Sequence, residues 1–331
     1  MNPLVSVILP VRNGGVYLAE AVASILNQSL GELELLLVND HSEDTALSEL
    51  GIEDTRLHIL DNPGRGVAQA FNHGLQRARG QFVARMDADD ISLPERLETQ
   101  LEFLHSHPDI DVCGACVEIF AEQALAGGNL RYQEWLNSCK SAQRIHRELF
   151  IESPIPNPTA MFRREAIDQL GGYRDPQWPE DYDLYLRADA AGMRMAKPDG
   201  VLFRWREHEQ RLTRTDSRYD ISRFQAAKAH FLADHRLAGR PVVIWGAGPS
   251  GRLMHDLLQV KGVQVRGFVE VHPRRIGGSK RNLPVWPIEQ VTRLEEEFVL
   301  VAVGAAGARV KIRSWMEDKK QKEGRDYLFV A

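Results

Sequence analysis

The order of apolar and amphipathic stretches predicts an α/β protein with a mostly parallel sheet flanked by helices. Short β-branched runs alternate with helical patterns in the first half, and each predicted strand ends in polar residues. The predicted elements are strands at 5–10, 33–39 and 81–87 and helices at 17–28 and 67–78. Because such sheets bind ligands beyond the carboxyl ends of their strands, we expect the polar residues that follow to line one crevice.

A chain of 331 residues is long for one domain, so we expect two. Prolines at 154, 156 and 158 mark an irregular passage after a helix predicted at 138–150. A second helix, predicted at 222–235, is followed by the interruption Ala-Gly-Arg-Pro. The predicted organisation is a domain at 1–220, a connecting helix or linker at 221–239, and a small α/β domain at 240–331.

The composition, with 43% hydrophobic and 26% charged residues, is that of a globular protein. The formal net charge of −5 gives no reason to expect a nucleic-acid partner. The first ten residues lack a basic leader, and no run reaches the roughly 18 to 20 apolar residues of a membrane span. We therefore expect a cytoplasmic protein, with peripheral association at the inner face of the membrane and homo-oligomerisation left open.

Two local clusters have competing interpretations. The segment 271–288 carries four basic residues and no acidic one, which indicates a solvated face or an anion-facing surface. Cys113 and Cys116 form a C-x-x-C within the apolar run 110–117, without a second ligand pair at zinc-site spacing. This pattern favours a buried strand over a metal site.

The sequence Met-Asp-Ala-Asp-Asp at 86–90 directly follows a predicted strand. Alternate carboxylates at Asp87 and Asp89 can face one divalent cation, and Mg²⁺ or Mn²⁺ needs only one or two of them together with phosphate oxygens. The alternative is an acidic turn that caps the helix beginning near Pro94.

Four motifs together resemble those of family 2 glycosyltransferases of the GT-A fold. They are VSVILPVRN at 5–13, VNDHSED at 38–44, DADD at 87–90 and PEDYDL at 179–184, and the resemblance covers roughly residues 3 to 220. It implies a mixed, mostly parallel GT-A sheet and an inverting, metal-dependent glycosyltransferase of the hexosyltransferase class. The implied reaction moves a sugar from a nucleoside diphosphate donor, expected to be a UDP-sugar, to a hydroxyl of a glycan or lipid-linked acceptor of cell-surface polysaccharide.

The resemblance also implies roles for individual residues. Asp40 would contact the nucleotide base, Asp87 the ribose, and Asp89 the Mn²⁺ or Mg²⁺ on the diphosphate. Asp181 matches the general base that takes the acceptor's proton. The alternatives are an Asx-turn for Asp40 and a helix cap for Asp181. Further donor contacts are expected from Pro10, Arg12, Asn13 and Arg65.

A second group of candidates lies near the end of the resemblance. His208 is expected to complete the metal shell or contact phosphate, although a lone histidine is also compatible with an ordinary surface position. Glu180, Arg206 and Arg211 are expected to contact the acceptor or a phosphate.

The sequence GAGPSG at 246–251 lies between a predicted strand and a predicted helix, which is the order of a Rossmann phosphate-binding turn. Another predicted strand ends at Glu270, where a ribose-binding acid would lie. The C-terminal domain is therefore expected to be Rossmann-like, with Gly246, Gly248, Gly251 and Glu270 as its candidate nucleotide site. A purely structural or oligomerising role is the alternative.

Two other functions compete with glycosyl transfer. A non-catalytic nucleotide-sugar sensor or scaffold would bind the donor through Asp40 and Asp89, but it would not need the Glu180–Asp181 pair. A nicotinamide-dependent oxidoreductase would use the glycine-rich turn, but the roughly 90 residues that remain from residue 240 leave no room for a separate catalytic domain.

Overall fold

The computed structural model describes residues 3–122, 125 and 127–331, which form two compact units. Unit 1 comprises the described parts of Met1–His146 and Pro154–Ser217, and unit 2 comprises Arg147–Ser153 and Arg218–Ala331. Each unit contains a mostly parallel sheet with helices between its strands, so the predicted α/β class is confirmed. The domain boundaries at 220 and 239 stay predictions. No described helix has both the length and the apolar character needed to cross a membrane.

A seven-stranded sheet forms the centre of unit 1. The strands of this unit are β1 (Val5–Val11), β2 (Leu33–Asn39), β3 (Leu57–Asp61), β4 (Phe82–Arg85), β5 (Ile91–Ser92), β6 (Val112–Cys113), β7 (Cys116–Phe120), β8 (Met161–Arg163), β9 (Met195–Ala196) and β10 (Val201–Arg206). The large sheet has the order β3-β2-β1-β4-β8-β6-β9, and a small one has the order β5-β10-β7. β3, β2, β1 and β4 are parallel, whereas β8 is antiparallel to both of its neighbours. Every residue of β1 is buried, as expected for an interior parallel strand covered on both faces.

Helices connect these strands. They are α1 (Leu18–Leu26), α2 (Val67–Arg77), α3 (Arg96–Ser106), α4 (Gly127–Ser138), α5 (Ala142–Glu148), α6 (Arg164–Leu170), α7 (Glu180–Ala190) and α8 (Leu212–Thr215). α1 buries Leu18, Ala21, Val22 and Ile25, whose spacing of three and four residues places them on one face. That face packs into the same apolar core as the side chains of β1 and β2.

Two local predictions differ from the structure. The helix predicted at 138–150 is wrong at both ends, because α4 ends at Ser138 and α5 covers only Ala142–Glu148. The single strand predicted around Cys113 and Cys116 is divided between β6 and β7, which belong to different sheets. Both cysteines are buried strand residues, as predicted, and both are free thiols.

Unit 2 contains a six-stranded sheet of order β13-β14-β12-β11-β15-β16. Its elements are α9 (Ile221–Phe231), β11 (Val242–Trp245), α10 (Pro249–Val260), β12 (Val265–Glu270), β13 (Ser279–Lys280), β14 (Leu283–Pro287), β15 (Phe298–Val301), α11 (Ala308–Asp318) and β16 (Tyr327–Phe329). The helix predicted at 222–235 corresponds to α9 together with the π-helical turn at Leu232–Arg236 that follows it directly. The five strands that follow β13 in this order are all parallel. When these five are renumbered along the chain, their spatial order is 3-2-1-4-5, the arrangement of doubly wound sheets.

The glycines between β11 and α10 have different local requirements. Gly246 has φ of 114°, a conformation that side chains other than glycine rarely adopt. A Cβ on Gly251 would overlap the carbonyl oxygen of Gly246, so this glycine permits the close start of α10. A Cβ on Gly248 would meet nothing within 4 Å. Packing therefore accounts for two of the glycines, whereas Gly248 faces open space.

We predict that Gly251→Ala lowers the free energy of unfolding of the full chain by about 1–3 kcal/mol, because the methyl group of the alanine has no room beside the backbone carbonyl of Gly246. Gly248→Ala is the matched control, and we expect it to leave stability within about 0.5 kcal/mol of the original protein. Urea unfolding of both variants tests this. Equal stability of the two variants would contradict the packing role assigned to Gly251.

Candidate functional site

The neighbouring parallel strands β2, β1 and β4 end at one edge of the large sheet. Val11 of β1 pairs in register with Asn39 of β2, so the loops after these two strands start at the same level. The candidate residues at 12–13, 40–44 and 87–90 follow the three strands. The structure therefore brings the three predicted polar groups to one edge of the sheet.

Asn13 connects the loops that follow β1 and β2. Its backbone N–H donates to Oγ of Ser42 at 3.0 Å, and its side-chain oxygen accepts a hydrogen bond from the backbone N–H of Glu43 at 2.8 Å. Asn13 has φ of 55°, a left-handed conformation in which asparagine is enriched. Pro10 is buried within β1, whereas Arg12 is exposed. The contacts of Asn13 shape the crevice, and Arg12 is accessible to a ligand.

Asp40 is 6% exposed and holds the glycine-rich turn that precedes α2. The backbone N–H of Gly66 donates to its two carboxylate oxygens at 3.1 and 2.9 Å. Nδ2 of Asn62 donates to Oδ1 at 2.7 Å. Arg65, a predicted donor contact, lies within this turn and has an exposed side chain. Asp40 thus determines how the turn presents Arg65.

Asp87 and Asp89 are the more accessible carboxylates of the acidic motif at 86–90, since each side chain is 30% exposed. Oδ1 of Asp87 accepts a hydrogen bond from Nε of Arg85 at 2.8 Å. Oδ2 of Asp89 lies 2.8 Å from Nε2 of His208, which follows β10. The structure therefore brings together the two residues predicted to hold a metal ion.

Asp90 points into the protein and is 2% exposed. Its Oδ1 accepts a hydrogen bond from the backbone N–H of Arg206 at 2.7 Å. Burial raises the pKa of Asp90 well above its usual range, and the adjacent charge of Asp89 raises it further. Its other oxygen is buried and has no hydrogen-bond partner among the described residues. Asp90 therefore fastens the acidic turn to β10.

The two candidate arginines make contacts within the protein. Arg206 is buried, donates from Nε to the carbonyl oxygen of Asp89 at 2.7 Å, and pairs with Glu20 of α1. Nη1 of Arg211 lies 3.3 Å from Glu207 in a partly buried ion pair. These contacts support a role in holding the acidic turn and the segment after β10, and contact with a substrate phosphate stays a prediction for both arginines.

Glu180 and Asp181 form the first turn of α7, after Pro179 at the N-cap position. Oδ1 of Asp181 accepts a hydrogen bond from the backbone N–H of Tyr182 at 2.7 Å, so the capping alternative is met in part from within the first turn. Glu180 is 2% exposed, whereas Asp181 is only partly buried. Burial raises the pKa of the Tyr173 phenol. The charge of Arg85 lowers this pKa, and the charges of Asp181, Glu180 and Asp87 raise it. The start of α7 and the acidic motif therefore act electrostatically on the same buried side chain.

Asp89 supplies a carboxylate oxygen, the kind of ligand that suits Mn²⁺ and Mg²⁺, and His208 places an imidazole nitrogen 2.8 Å from it as a second donor. Within the described ranges, three or more His, Cys, Asp or Glu side chains are not grouped as a metal site. Two protein ligands leave coordination positions for phosphate oxygens and water, which is the usual arrangement for such ions at phosphate substrates. The residues present therefore fit the expected cation.

Some residues that position the site were not among those predicted from the sequence. The guanidinium of Arg206 lies 4.3 Å from the ring centroid of Tyr17, and that ring lies 5.4 Å from the ring of His208. Glu20 and Tyr17 come from a region with no recognisable motif. Asn62 was detectable in principle, because Asn-Pro-Gly is a typical turn sequence.

In unit 2, Glu270 ends β12 as predicted and is 8% exposed. Burial alone would raise the pKa of Glu270, but hydrogen bonds from Arg275 and from the backbone N–H groups of Val271 and His272 lower it. Arg275 donates from Nη1 at 2.9 Å. The carboxylate thus organises its own loop, and its contact with a ribose stays a prediction, as does that of the glycine-rich turn with a nucleotide.

The model of the family described as glycosyl transferase family 2 matches residues 6–171. EpsE of Bacillus subtilis (strain 168), described as a glycosyltransferase, is 32% identical over 228 residues, which cover 66% of this chain and 79% of EpsE. The amylovoran biosynthesis glycosyltransferase AmsE of Erwinia amylovora is 31% identical over 194 residues, which cover 57% of this chain and 70% of AmsE.

A crystal structure of S. aureus TarS 1–349 in complex with UDP-GlcNAc has a TM-score of 0.56 at 19% identity, covering 70% of this chain and 67% of that one. At this identity the likeness concerns the fold alone, and it agrees with the predicted GT-A type sheet. The match to the family model and the identity to relatives over most of their length show the family as well as the fold. This chain belongs to glycosyltransferase family 2.

We predict that Asp40→Asn destabilises the protein by about 1–3 kcal/mol, because one of the two oxygens that accept from Asn62 and Gly66 becomes an NH₂ group that cannot accept. Amide hydrogen exchange at Gly66 should also become faster. Asp61→Asn is the matched control, since the exposed Asp61 accepts a bond from Asn39 at 3.0 Å and little should change. Unchanged exchange at Gly66 in Asp40→Asn would contradict the organising role of Asp40.

Proposed function

We propose that this glycosyltransferase transfers a sugar with inversion from a nucleoside diphosphate donor to an acceptor hydroxyl, at the edge of the sheet formed by β2, β1 and β4. The observation that supports this most strongly is the 2.8 Å contact between Asp89 and His208 beside the partly exposed Asp87. These groups can bind the polar parts of a nucleotide sugar. The fold neighbour TarS, which was crystallised with UDP-GlcNAc, makes a UDP-sugar the first donor to test.

In this proposal, different loops bind different parts of the donor. The turn organised by Asp40 receives the nucleotide base, with Arg12, Asn13 and Arg65 at its margin. The carboxylate of Asp87 accepts hydrogen bonds from ribose hydroxyls. The accessible guanidinium groups of Arg12 and Arg65 suit the negative charge of the donor.

Asp89 and His208 would hold the Mn²⁺ or Mg²⁺. When bound, the cation supplies positive charge to the leaving diphosphate. Nε2 of His208 can serve as a ligand only when it carries no proton, so the neutral imidazole must hold its proton on Nδ1. The side chain of Arg206 bonds to the backbone of Asp89, and the side chain of Asp90 bonds to the backbone of Arg206. These two bonds link the segment that carries Asp89 to the end of β10, which His208 follows.

Asp181 is the proposed general base. Its carboxylate takes the proton of the acceptor hydroxyl while that oxygen bonds to the anomeric carbon, and the bond from this carbon to the diphosphate oxygen breaks on the opposite face. The products are the glycosylated acceptor and a nucleoside diphosphate. Asp181 suits this role better than Glu180, because Glu180 is almost fully buried. The N-terminus of α7 also favours the ionised carboxylate.

The acceptor is proposed to be a glycan or lipid-linked precursor of a polysaccharide, as the name of the relative AmsE suggests. Peripheral association with the inner face of the membrane would bring the chain to such an acceptor. For unit 2 we propose a nucleotide-binding or oligomerising role, with the open space at Gly248 in support of the former.

The test follows the release of nucleoside diphosphate from UDP-, GDP- and dTDP-sugars in the presence of Mn²⁺, with slow hydrolysis standing in for transfer. We expect release with one donor. Asp181→Asn should still bind that donor but release product at least about 100-fold more slowly, because the base is lost. Asp89→Ala should lose metal-dependent donor binding.

Asp168→Asn is the matched control, because Asp168 pairs with Arg164 on the exposed surface of α6 and should not affect release. Undiminished release by Asp181→Asn would contradict its role as the base. Donor binding without release, with candidate acceptors present, would favour the sensor alternative, and failure of every donor to bind would refute the proposed donor site.

A further inference from the structure

Arg85 is the last residue of β4 and directly precedes the acidic motif, yet it is only 3% exposed. Its Nε donates to Oδ1 of Asp87 at 2.8 Å, and its Nη2 lies 2.8 Å from the same oxygen. One hydrogen bond and one further ionic contact of the same planar group thus meet at a single carboxylate oxygen. The rigid guanidinium fixes the position of this oxygen more firmly than a flexible ammonium would.

Both the guanidinium and the backbone of Arg85 are held in place by neighbouring side chains. Its central carbon lies 5.6 Å from the ring centroids of both Phe71 and Tyr173, and these two rings contact each other edge to face at 4.6 Å. The carbonyl oxygen of Arg85 accepts a hydrogen bond from Nη2 of Arg96 at 2.8 Å. The orientation of Asp87 is therefore coupled to the packing of the core.

The charge of Arg85 also links the acidic motif to the start of α7. Burial would lower the pKa of Arg85, but the nearby Asp87, Tyr173 and Glu180 raise it, so it remains a cation. Its Nη1 is buried and has no hydrogen-bond acceptor within the described part of the chain. A buried cation with an unsatisfied donor is costly, and packing alone would be served better by an apolar side chain.

We infer that Arg85 is a positioning residue for the nucleotide-sugar donor, which acts by holding the carboxylate of Asp87 in the direction needed to bind it. This inference rests on the proposed function, in which Asp87 contacts the donor. Arg85 does not itself touch the donor in this account. Any effect of Arg85 on the Kd of the donor must therefore depend on Asp87, and variants of both residues can test this dependence.

The experiment measures the Kd of the nucleoside diphosphate of whichever donor is bound, by titration calorimetry with Mn²⁺ on the full chain. Arg85→Lys keeps the charge but loses the rigid guanidinium, and we expect it to weaken binding roughly tenfold. Asp87→Asn should weaken binding by a similar factor. In Arg85→Lys combined with Asp87→Asn, the lysine should add less than about a twofold further loss, because the group through which Arg85 acts is already altered.

Arg187→Lys is the matched control, because Arg187 is another buried arginine that donates to an aspartate, Asp183 at 2.7 Å. Its Nη1 and Nη2 donate to backbone carbonyl oxygens, so its donors are satisfied within the protein. We expect this variant to lower the thermal midpoint as Arg85→Lys does, without changing the Kd. If Arg85→Lys does not fold, Arg85→Gln, which keeps a planar NH₂ donor but removes the charge, takes its place alone and combined with Asp87→Asn, with the same expected losses.

The possible results separate this inference from the proposed function. If the original protein binds no nucleoside diphosphate, or if Asp87→Asn leaves the Kd unchanged, the proposed donor contact fails and the role of Arg85 fails with it. If Asp87→Asn weakens binding but Arg85→Lys does not, only the role of Arg85 is refuted. Additive losses in the double variant would also overturn it, because Arg85 would then act independently of Asp87.

Discussion

The parallel pairing of β1 with β2 on one side and with β4 on the other is the constraint on which the site depends. It gives three adjacent strands the same direction, so the residues after each strand meet at one edge of the sheet. β1 can hold this central position because all of its side chains tolerate burial on both faces. A polar substitution in β1 would therefore affect the site through the alignment of its loops.

At this edge, the carboxylates divide into two groups according to their surroundings. Asp40 and Asp90 are buried and bond to backbone N–H groups, so they determine the shape of the loops. Asp87 and Asp89 are 30% exposed and bond to side chains. A carboxylate that remains accessible can contact a ligand while it keeps its protein partner, whereas a buried one cannot reach a ligand without breaking its loop. Accessibility therefore separates the residues suited to binding from those that support them.

Much of the fold and of the site could be predicted from the sequence, because strand ends and short acidic motifs are local signals. The sequence predicts β2 at its observed bounds, and it assigns to one cation the residues Asp89 and His208, which the structure brings into contact. The parts that could not be predicted depend on distant segments. Glu20 contacts Arg206 across 186 positions of sequence, and nothing in the pattern around Glu20 indicates this pairing. The division of the predicted strand into β6 and β7 could not be predicted from the sequence either, because the sheet to which each strand belongs is a property of the tertiary structure.

In the proposed function, Asp89 and His208 together hold the cation to which the donor binds. Pulsed electron paramagnetic resonance of Mn²⁺, bound to the full chain with a nucleoside diphosphate, can detect this arrangement, because a coordinating imidazole nitrogen produces a nuclear coupling that oxygen ligands do not. We expect this coupling in the original protein and its absence in His208→Gln. Mn²⁺ that binds with the nucleotide but shows no nitrogen coupling in the original protein would contradict this arrangement.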